Sequence, residues 1–191
     1  FCVGVVDRKH LINGEQIAPD DVVIGVASSG FHSNGYSLVR KIVFEIAGLK
    51  VDDTVEPLGQ TVGDALLTPT RIYAQPLRKV LAHYRVKSVV HGIAHITGGG
   101  LCENLERIVP EGVRVTIDRG SWPVPPLFTW LQELGDVEQS EMDQVFNMGV
   151  GLVVVVSPFY AESIQKQLSR CGLESWLIGR AREGDRGVVW A

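Results

Sequence analysis

Residues 22–46 read VVIGVASSGFHSNGYSLVRKIVFEI, and this succession of residue types indicates the fold class. The apolar run Val22–Ala27 is typical of a buried strand, and apolar side chains then recur at helical spacing from Tyr36 to Ile46. The residues in between, Ser28–Gly35, are mostly small and polar. The stretch therefore predicts a strand, a short loop and a helix.

The same arrangement recurs further along the chain. Val89–Ile96 predicts a strand, Thr97–Gly100 a glycine-rich loop, and the apolar residues that follow a second helix. A third loop, Phe146–Gly151, leads into Leu152–Val156, the most apolar strand of the sequence. Because helices and strands are mixed throughout, we expect an α/β (α+β) fold in which a mixed β-sheet is flanked by helices in an α/β/α sandwich.

The remaining segments complete this mixed pattern. A turn at Asn13-Gly14 separates Val3–Arg8 from Val22–Ala27, so these two runs predict strands that can form a hairpin. Residues 50–63 predict a connecting loop and Trp122–Pro126 a rigid connector. Further strands are predicted at 113–117, 175–180 and 187–190, and further helices at 61–67, 72–84, 127–134, 141–146 and from Pro158 to Arg170.

The composition favours one compact domain spanning residues 1–191. Of the 191 residues, 45% are hydrophobic and 21% are charged, which is enough to build one substantial core. The first residues, Phe1-Cys2-Val3-Gly4, read as a strand already under way. We therefore expect further sequence before Phe1, with residues 1–20 as a linking strand or hairpin from a missing N-terminal domain.

Charge and cysteine content exclude several classes of partner. A formal net charge of -4 argues against nucleic acid, because binding many phosphates requires a basic surface. The three cysteines are widely spaced and form no CxxC pair, so we predict neither a disulfide framework nor a metal site, and a reducing cytoplasm fits best. The longest apolar run is far shorter than the ~20 residues of a membrane span. The predicted partner is a small anion rather than a nucleic acid or a membrane.

The loop Ser28–Gly35 is the first candidate site. Successive backbone N–H groups at the entry to a helix, with the helix dipole behind them, can hold phosphate oxygens. The loop is not a Walker A motif, because no Lys follows a Gly at the required position. An ordinary strand-to-helix turn with a Ser or Asn cap accounts for the same residues, and a single His such as His32 is often a structural donor.

The other two loops carry the same ambiguity. The triple glycine Gly98-Gly99-Gly100 lets a ligand approach the backbone, although a tight packing turn needs the same residues. The glycines of Phe146–Gly151 fit either a bound group or a bulge. Cys102 lies near a helix start without an evident base, so an inert buried thiol is the simpler interpretation. Trp122 and Trp130 can stack on a base but are more typical of a core.

Taken together and in this order, these segments resemble the aminoimidazole ribonucleotide synthetase family, the phosphoribosylformylglycinamidine cyclo-ligases. The resemblance covers nearly the whole chain and points to its C-terminal half. The segments that carry it are GVASSGFHSNGYSLVR (25–40), TPTRIY (68–73), AHITGGGL (94–101), IDRGSWPVPP (117–126) and FNMGVG (146–151). The wording of the last two favours the cyclo-ligase over related ATP-dependent enzymes.

The resemblance implies a reaction. In this family ATP phosphorylates the formamide oxygen of formylglycinamidine ribonucleotide, an amidine nitrogen attacks the activated carbon, and phosphate leaves, which closes the imidazole ring of purine biosynthesis. It implies that ATP and Mg²⁺ are held principally by the missing N-terminal half, that the full-length enzyme is a homodimer, and that this half alone is inactive. The alternative is an anion-binding or partner-binding module of a related synthetase such as formylglycinamide ribonucleotide amidotransferase.

The resemblance also suggests which residues meet the ligand. His32 is the first candidate for proton transfer and His95 the second. The ribonucleotide or a phosphate is expected on two loops, through Ser28, Ser29, Gly30, His32, Ser33, Asn34, Thr97, Gly98, Gly99 and Gly100.

Overall fold

The computed structural model describes residues 3–84 and 86–191, and its centre is a six-stranded sheet. The strands of the chain are β1 (Val22–Ala27), β2 (Thr54–Val55), β3 (Gln60–Thr61), β4 (Val90–His95), β5 (Val113–Ile117), β6 (Val150–Val156), β7 (Ser175–Glu183) and β8 (Gly187–Trp190). The large sheet has the order β4-β6-β1-β7-β5-β8, while β2 and β3 form a separate hairpin. All neighbours in the large sheet are antiparallel except β5 and β8, so the sheet is mixed as expected.

Helices lie on both faces of this sheet. The helices of the chain are α1 (Tyr36–Arg40), α2 (Val62–Leu66), α3 (Ala74–His83), α4 (Gly100–Glu106), α5 (Pro126–Gly135), α6 (Gln139–Val145) and α7 (Ala161–Arg170). A π-helical segment, Lys41–Ile46, continues α1, and 3₁₀ turns occur at Arg8–His10, Glu56–Leu58, Arg119–Ser121 and Pro158–Tyr160. The predicted mixed sheet flanked by helices is therefore confirmed.

The core is divided into three clusters. Alternation along the strands sends Ile24 and Val154 towards α3 and α7, and Val23 and Val153 towards α4 on the opposite face. A third cluster joins α1, α2, α5 and α6 around the fully buried ring of Phe146. This third cluster supports the loop that leaves the carboxyl end of β1.

The predicted strand at Val3–Arg8 is wrong. Residues 3–7 form no regular element, and Val3 and Val5 are fully exposed. Both edges of β1 are already paired, with β6 and with β7, so no position remains for a hairpin partner. Phe1 and Cys2 lie outside the described residues, and the linking role of residues 1–20 stays a prediction.

Most other elements lie close to where the sequence predicts them. Strands β5 and β8 have the predicted bounds, whereas β6 begins two residues before Leu152 and β7 runs three residues further than Arg180. The predicted capping of α2 is present, since Thr61 Oγ1 accepts a hydrogen bond from the Asp64 N–H at 3.1 Å. The connecting loop predicted at 50–63 instead contains the short β2–β3 hairpin.

Candidate functional site

The three loops singled out in the sequence meet at one edge of the sheet. Strands β1 and β4 both run antiparallel to β6, so their carboxyl ends lie beside the amino end of β6. The Ser28 N–H donates to Gly149 O at 2.8 Å, and the Asn147 amide donates to Gly30 O at 2.8 Å. The Ile96 N–H donates to Gly151 O at 3.0 Å. The third loop is therefore the structural bridge between the other two.

Three aromatic rings form a triangle where these loops meet. The ring centroid of His32 lies 6.1 Å from that of Tyr73 and 6.3 Å from that of His95, and the last two are 6.0 Å apart. Gly151 makes room for them, because a Cβ at this position would lie 2.2 Å from the Tyr73 hydroxyl and 2.4 Å from His32 Cε1. The structure thus brings together the two histidines that are the candidates for proton transfer.

The two histidines differ in access. His32 is buried with a left-handed φ of 58°, and its Nε2 accepts the Ser29 N–H at 3.1 Å, while its Nδ1 is buried without a partner among the described residues. Burial, followed by the charges of His95 and Arg71, lowers the pKa of His32 to about 4. His95 is exposed. His32 is therefore neutral and supports its own loop in this conformation, whereas His95 is open to a ligand.

We expect His32 to make the chain less stable in mild acid. The unfolded chain binds a proton near pH 6.5 but the folded chain only near pH 4, so the stability due to neutral His32 is complete above pH 6.5 and is lost as the pH falls towards 4. The expected loss is up to about 3 kcal/mol, since each pKa unit corresponds to about 1.4 kcal/mol. Urea unfolding across this pH range measures it.

Substitution separates this effect from general acid unfolding. In His32→Asn, a side chain that tolerates left-handed φ, the free energy of unfolding should change less between pH 6.5 and 4. The exposed His10 gives the matched control His10→Asn, which should keep the original profile. Parallel profiles for the original chain and His32→Asn would contradict the assignment.

Asn104 organises the second loop from beneath. This residue is 4% exposed, and its amide donates to the carbonyl oxygens of Thr97, Gly98 and Gly100 at 3.2, 3.2 and 2.7 Å. Its Oδ1 accepts from the Thr97 hydroxyl at 2.9 Å. Because three loop carbonyls turn inward to one side chain, the loop holds a fixed shape in which Gly98 is exposed.

Two cavities flank the loop Ser28–Gly35. The first, here called the Arg71 cavity, has a volume of about 420 Å³, an apolar wall that includes Leu58 and Leu127, and polar lining residues Ser28, Ser29, Gly30, Gln60, Thr68 and Arg71. The second, here called the Glu103 cavity, has a volume of about 620 Å³ and lies between the two predicted loops, lined by Asn34, Gly35, Gly98, Gly99, Glu103 and Glu141. Both have the size of small-molecule sites.

The segment 66–73 is fastened along the first loop by a row of hydrogen bonds. The Tyr36 hydroxyl donates to Leu66 O, the Ser29 hydroxyl donates to Pro69 O at 2.7 Å, and the Ser33 and Thr70 hydroxyls are 3.0 Å apart. The Tyr73 hydroxyl donates to Ala27 O at 2.8 Å. Arg71 is thereby held beside the loop. Sequence reasoning did not assign it a role, although it stands in the segment TPTRIY.

For Trp122, Trp130 and Cys102, the structure supports the structural interpretation rather than a role in binding or catalysis. Trp122 is 6% exposed and its indole N–H donates to Met148 O at 2.9 Å, while Trp130 packs against the third core cluster. Burial, with the negative charge of Asp143 next, raises the pKa of the Cys102 thiol to about 11. A thiol that stays protonated is a poor nucleophile. None of the three side chains belongs to the candidate site.

Within residues 3–84 and 86–191, no three His, Cys, Asp or Glu side chains lie close enough together to hold a metal ion. No helix there has the length and apolar character that crossing a bilayer requires.

Comparison with known proteins agrees with the resemblance seen in the sequence. Residues 18–191 match the family model described as AIR synthase related protein, C-terminal domain. The chain is 50% identical over its full length to the phosphoribosylformylglycinamidine cyclo-ligase of Geobacillus kaustophilus, of which it covers 54%. It is 45% identical over 97% of its length to the enzyme of that name from Syntrophus aciditrophicus, of which it covers 52%. The chain thus spans about half the length of these relatives.

Solved structures show the same fold. The thiamine-monophosphate kinase of Stenotrophomonas maltophilia superposes with a TM-score of 0.64 at 17% identity, over 97% of this chain and 54% of that protein. At this identity the likeness concerns the arrangement of helices and strands alone.

Proposed function

This chain belongs to the AIR synthase related protein family, whose C-terminal domain it contains, and we propose that it forms the C-terminal half of a phosphoribosylformylglycinamidine cyclo-ligase. The whole enzyme would cyclise formylglycinamidine ribonucleotide to aminoimidazole ribonucleotide, with ATP converted to ADP and phosphate. It would act in the cytoplasm as a homodimer. Its small-molecule partners would be the ribonucleotide and ATP.

The convergence of three loops at one sheet edge is the observation that carries this proposal. Three of the five segments that carry the resemblance contain these loops, although the loops are up to about 120 residues apart in the chain. The first loop lines two cavities of small-molecule size, the second loop lines one of them, and the two histidines lie where these loops meet. A ligase of this kind needs its substrate positioned and its phosphate charge neutralised, and rigid loops on a sheet edge are suited to both.

Within this site we propose a division of tasks between the two histidines. His95 is exposed and can exchange a proton with a substrate, so it is the candidate with direct access. His32 accepts the Ser29 N–H and shapes the first loop, and its own catalytic role requires the ring to become accessible when substrate binds. The remaining contacts to the ribonucleotide or phosphate are proposed for Ser28, Ser29, Gly30, Ser33, Asn34, Thr97, Gly98, Gly99 and Gly100.

ATP and Mg²⁺ are assigned principally to the other half of the enzyme. The described residues contain no group of three His, Cys, Asp or Glu side chains that could hold a metal ion. Bound ATP would supply the phosphoryl group that turns the formamide oxygen into a leaving group.

A chimeric enzyme tests the proposal. This chain would replace the matching C-terminal part of the Geobacillus kaustophilus relative, with which it shares 50% identity. We expect the chimera to consume ATP and form aminoimidazole ribonucleotide, which is measured by product chromatography and phosphate release. A folded chimera that binds the ribonucleotide without cyclising it would support an anion-binding module instead.

Substitutions in the same chimera distinguish the roles of the two histidines. His95→Gln is expected to lower kcat by about 100-fold if the residue transfers a proton, since such catalysis contributes roughly 10²- to 10⁴-fold. His32→Asn would be expected to act mainly through loop stability. Unchanged turnover in His95→Gln would remove its proposed role, and unchanged turnover in His32→Asn would remove that residue from the catalytic candidates.

A further inference from the structure

We propose that the Arg71 cavity, and not the Glu103 cavity, binds the phosphate monoester of a phosphorylated sugar. This inference rests on the proposed function and deepens it, because it assigns one end of the substrate to one of two cavities. The assignment follows from the charges of the two linings, from unpaired hydrogen-bond donors and from the rigidity of the segment that carries Arg71.

The two cavities differ in the sign of their charge. Arg71 is the charged residue of the first lining, which contains no acidic side chain among the residues described. The second lining holds Glu103 and Glu141 and no lysine or arginine from the described ranges, although Arg107 pairs with Glu103 at 2.9 Å from outside it. A phosphate dianion is attracted to the first cavity and repelled from the second.

Two donors at the Arg71 cavity, the Ser28 hydroxyl and the Gly30 N–H, have no partner among the described residues. Ser28 is 9% exposed, and its hydroxyl is buried without a hydrogen bond to any described residue. The neighbouring Gly30 N–H has no acceptor in the same part of the chain. A buried donor that stays unpaired costs about 1–3 kcal/mol, so an acceptor supplied by a ligand would relieve this cost.

Arg71 has the chemistry that a phosphate needs. Its guanidinium makes no hydrogen bond or ion pair with the described residues, and its charge reaches the buried rings, where it lowers the pKa of His32 and opposes the rise that burial gives to the pKa of Tyr73. A guanidinium can donate two parallel hydrogen bonds to phosphate oxygens. The charge is thus available to a ligand rather than consumed by the fold.

The position of Arg71 is fixed before any ligand arrives. Hydrogen bonds from Ser29, Ser33 and Tyr73 tie the segment on both sides of Arg71 to the first loop. An anchored segment loses little conformational entropy on binding, which favours affinity. The apolar part of the lining, which includes Pro57 and Leu127, suits the carbon face of a sugar attached to the phosphate.

Direct binding of ribose 5-phosphate tests the assignment on the 191-residue chain. We expect Arg71→Met to weaken binding by about 10- to 100-fold, the range for loss of a charge-assisted hydrogen bond. The matched control is Arg78→Met, which removes the same charge from the exposed face of α3 and should change affinity less than about twofold. NMR titration of isotope-labelled protein measures the affinity and maps shifts to Ser28 and Gly30.

Further binding measurements distinguish a phosphate site in the Arg71 cavity from one in the Glu103 cavity and from a nucleotide site. Glu103→Gln should change affinity less than about twofold, whereas a marked gain in this variant with no effect of Arg71→Met would place phosphate in the Glu103 cavity. Stronger, Arg71-dependent binding of ADP would assign the cavity to a nucleotide. Absence of any binding of ribose 5-phosphate or inorganic phosphate to the unsubstituted chain would also overturn the proposal.

The chimera distinguishes this inference from the proposed function. There Arg71→Met should raise KM for the ribonucleotide and leave kcat nearly unchanged, as expected for a group that holds the substrate away from the reacting atoms. An inactive chimera whose sugar-phosphate binding depends on Arg71 would contradict cyclisation but support the phosphate site. An active chimera with an unchanged KM in Arg71→Met would support cyclisation and overturn the phosphate site.

Discussion

Replacing Gly100 by Ala is expected to lower the free energy of unfolding by about 3 kcal/mol or more, one of the largest effects of a single methyl group in this chain. Gly100 has a φ of 66°, and a Cβ there would lie 1.7 Å from the backbone oxygen of Asp143. Backbone cannot rotate away as a flexible side chain does, so either α6 or the start of α4 must move. Urea unfolding, followed by circular dichroism, measures the loss.

The two neighbouring glycines provide the controls. A Cβ on Gly98 would have no atom within 4 Å, and this residue has no left-handed φ, so Gly98→Ala should change stability by less than about 0.5 kcal/mol. Gly99 has a φ of 98° and would meet the mobile end of Glu103, so Gly99→Ala should cost an intermediate amount, about 1–2 kcal/mol. Equal losses at Gly98 and Gly100 would show that the approach of α6 to this loop is not tight.

These glycines show how far sequence reasoning reaches. The triple glycine predicted close backbone approach, and the structure shows that a close neighbour of Gly100 is another part of the same chain. The sequence could not reveal this, because Asp143 is 43 residues away from Gly100 and lies on α6. The packing alternative left open for the glycine run therefore applies to Gly100, while the exposed Gly98 remains available to a ligand.

The strands were predictable because their patterns are local. The uninterrupted apolar run of β6 reflects burial on both faces, and its existence and its end at Val156 follow from composition alone. Val3–Arg8 also contains three valines, yet it forms no strand, and a hairpin with β1 is ruled out because β1 is paired on both edges. Whether an apolar run becomes a strand depends on an available partner, which is a property of the whole sheet.

The difference in charge between the linings of the two cavities also could not be predicted from the sequence. Glu141 and Gly98 belong to different elements, and the cavity that they share appears only when α6 packs beside the second loop. Arg71 belongs to no motif that sequence alone could assign, and its position depends on four hydrogen bonds, two from its segment to the first loop and two to the flanking residues Ala27 and Tyr36. Loops that bear chemistry were identifiable, whereas the partners that orient them were not.

Replacing Phe31 by Ala is expected to lower the free energy of unfolding by about 3–5 kcal/mol, the usual range for a fully buried Phe. Phe31 is 2% exposed, and its ring centroid lies 5.2 Å from those of both Phe128 and Phe146. It is the apolar anchor of the first loop, set between Gly30 and His32. The cavity left behind would therefore loosen the loop as well as the third core cluster, and sugar-phosphate binding should weaken with stability.

Two further substitutions show whether burial of this ring is the cause. Phe159→Ala removes the same side chain at a site that is 85% exposed and should change stability by less than about 0.5 kcal/mol. Phe31→Leu keeps most of the apolar volume and should recover a large part of the loss. If Phe31→Ala cost less than about 1 kcal/mol, or if its phosphate affinity matched that of the original chain, the loop would have to be held by its hydrogen bonds to Asn147 and Pro69 instead of by the aromatic cluster.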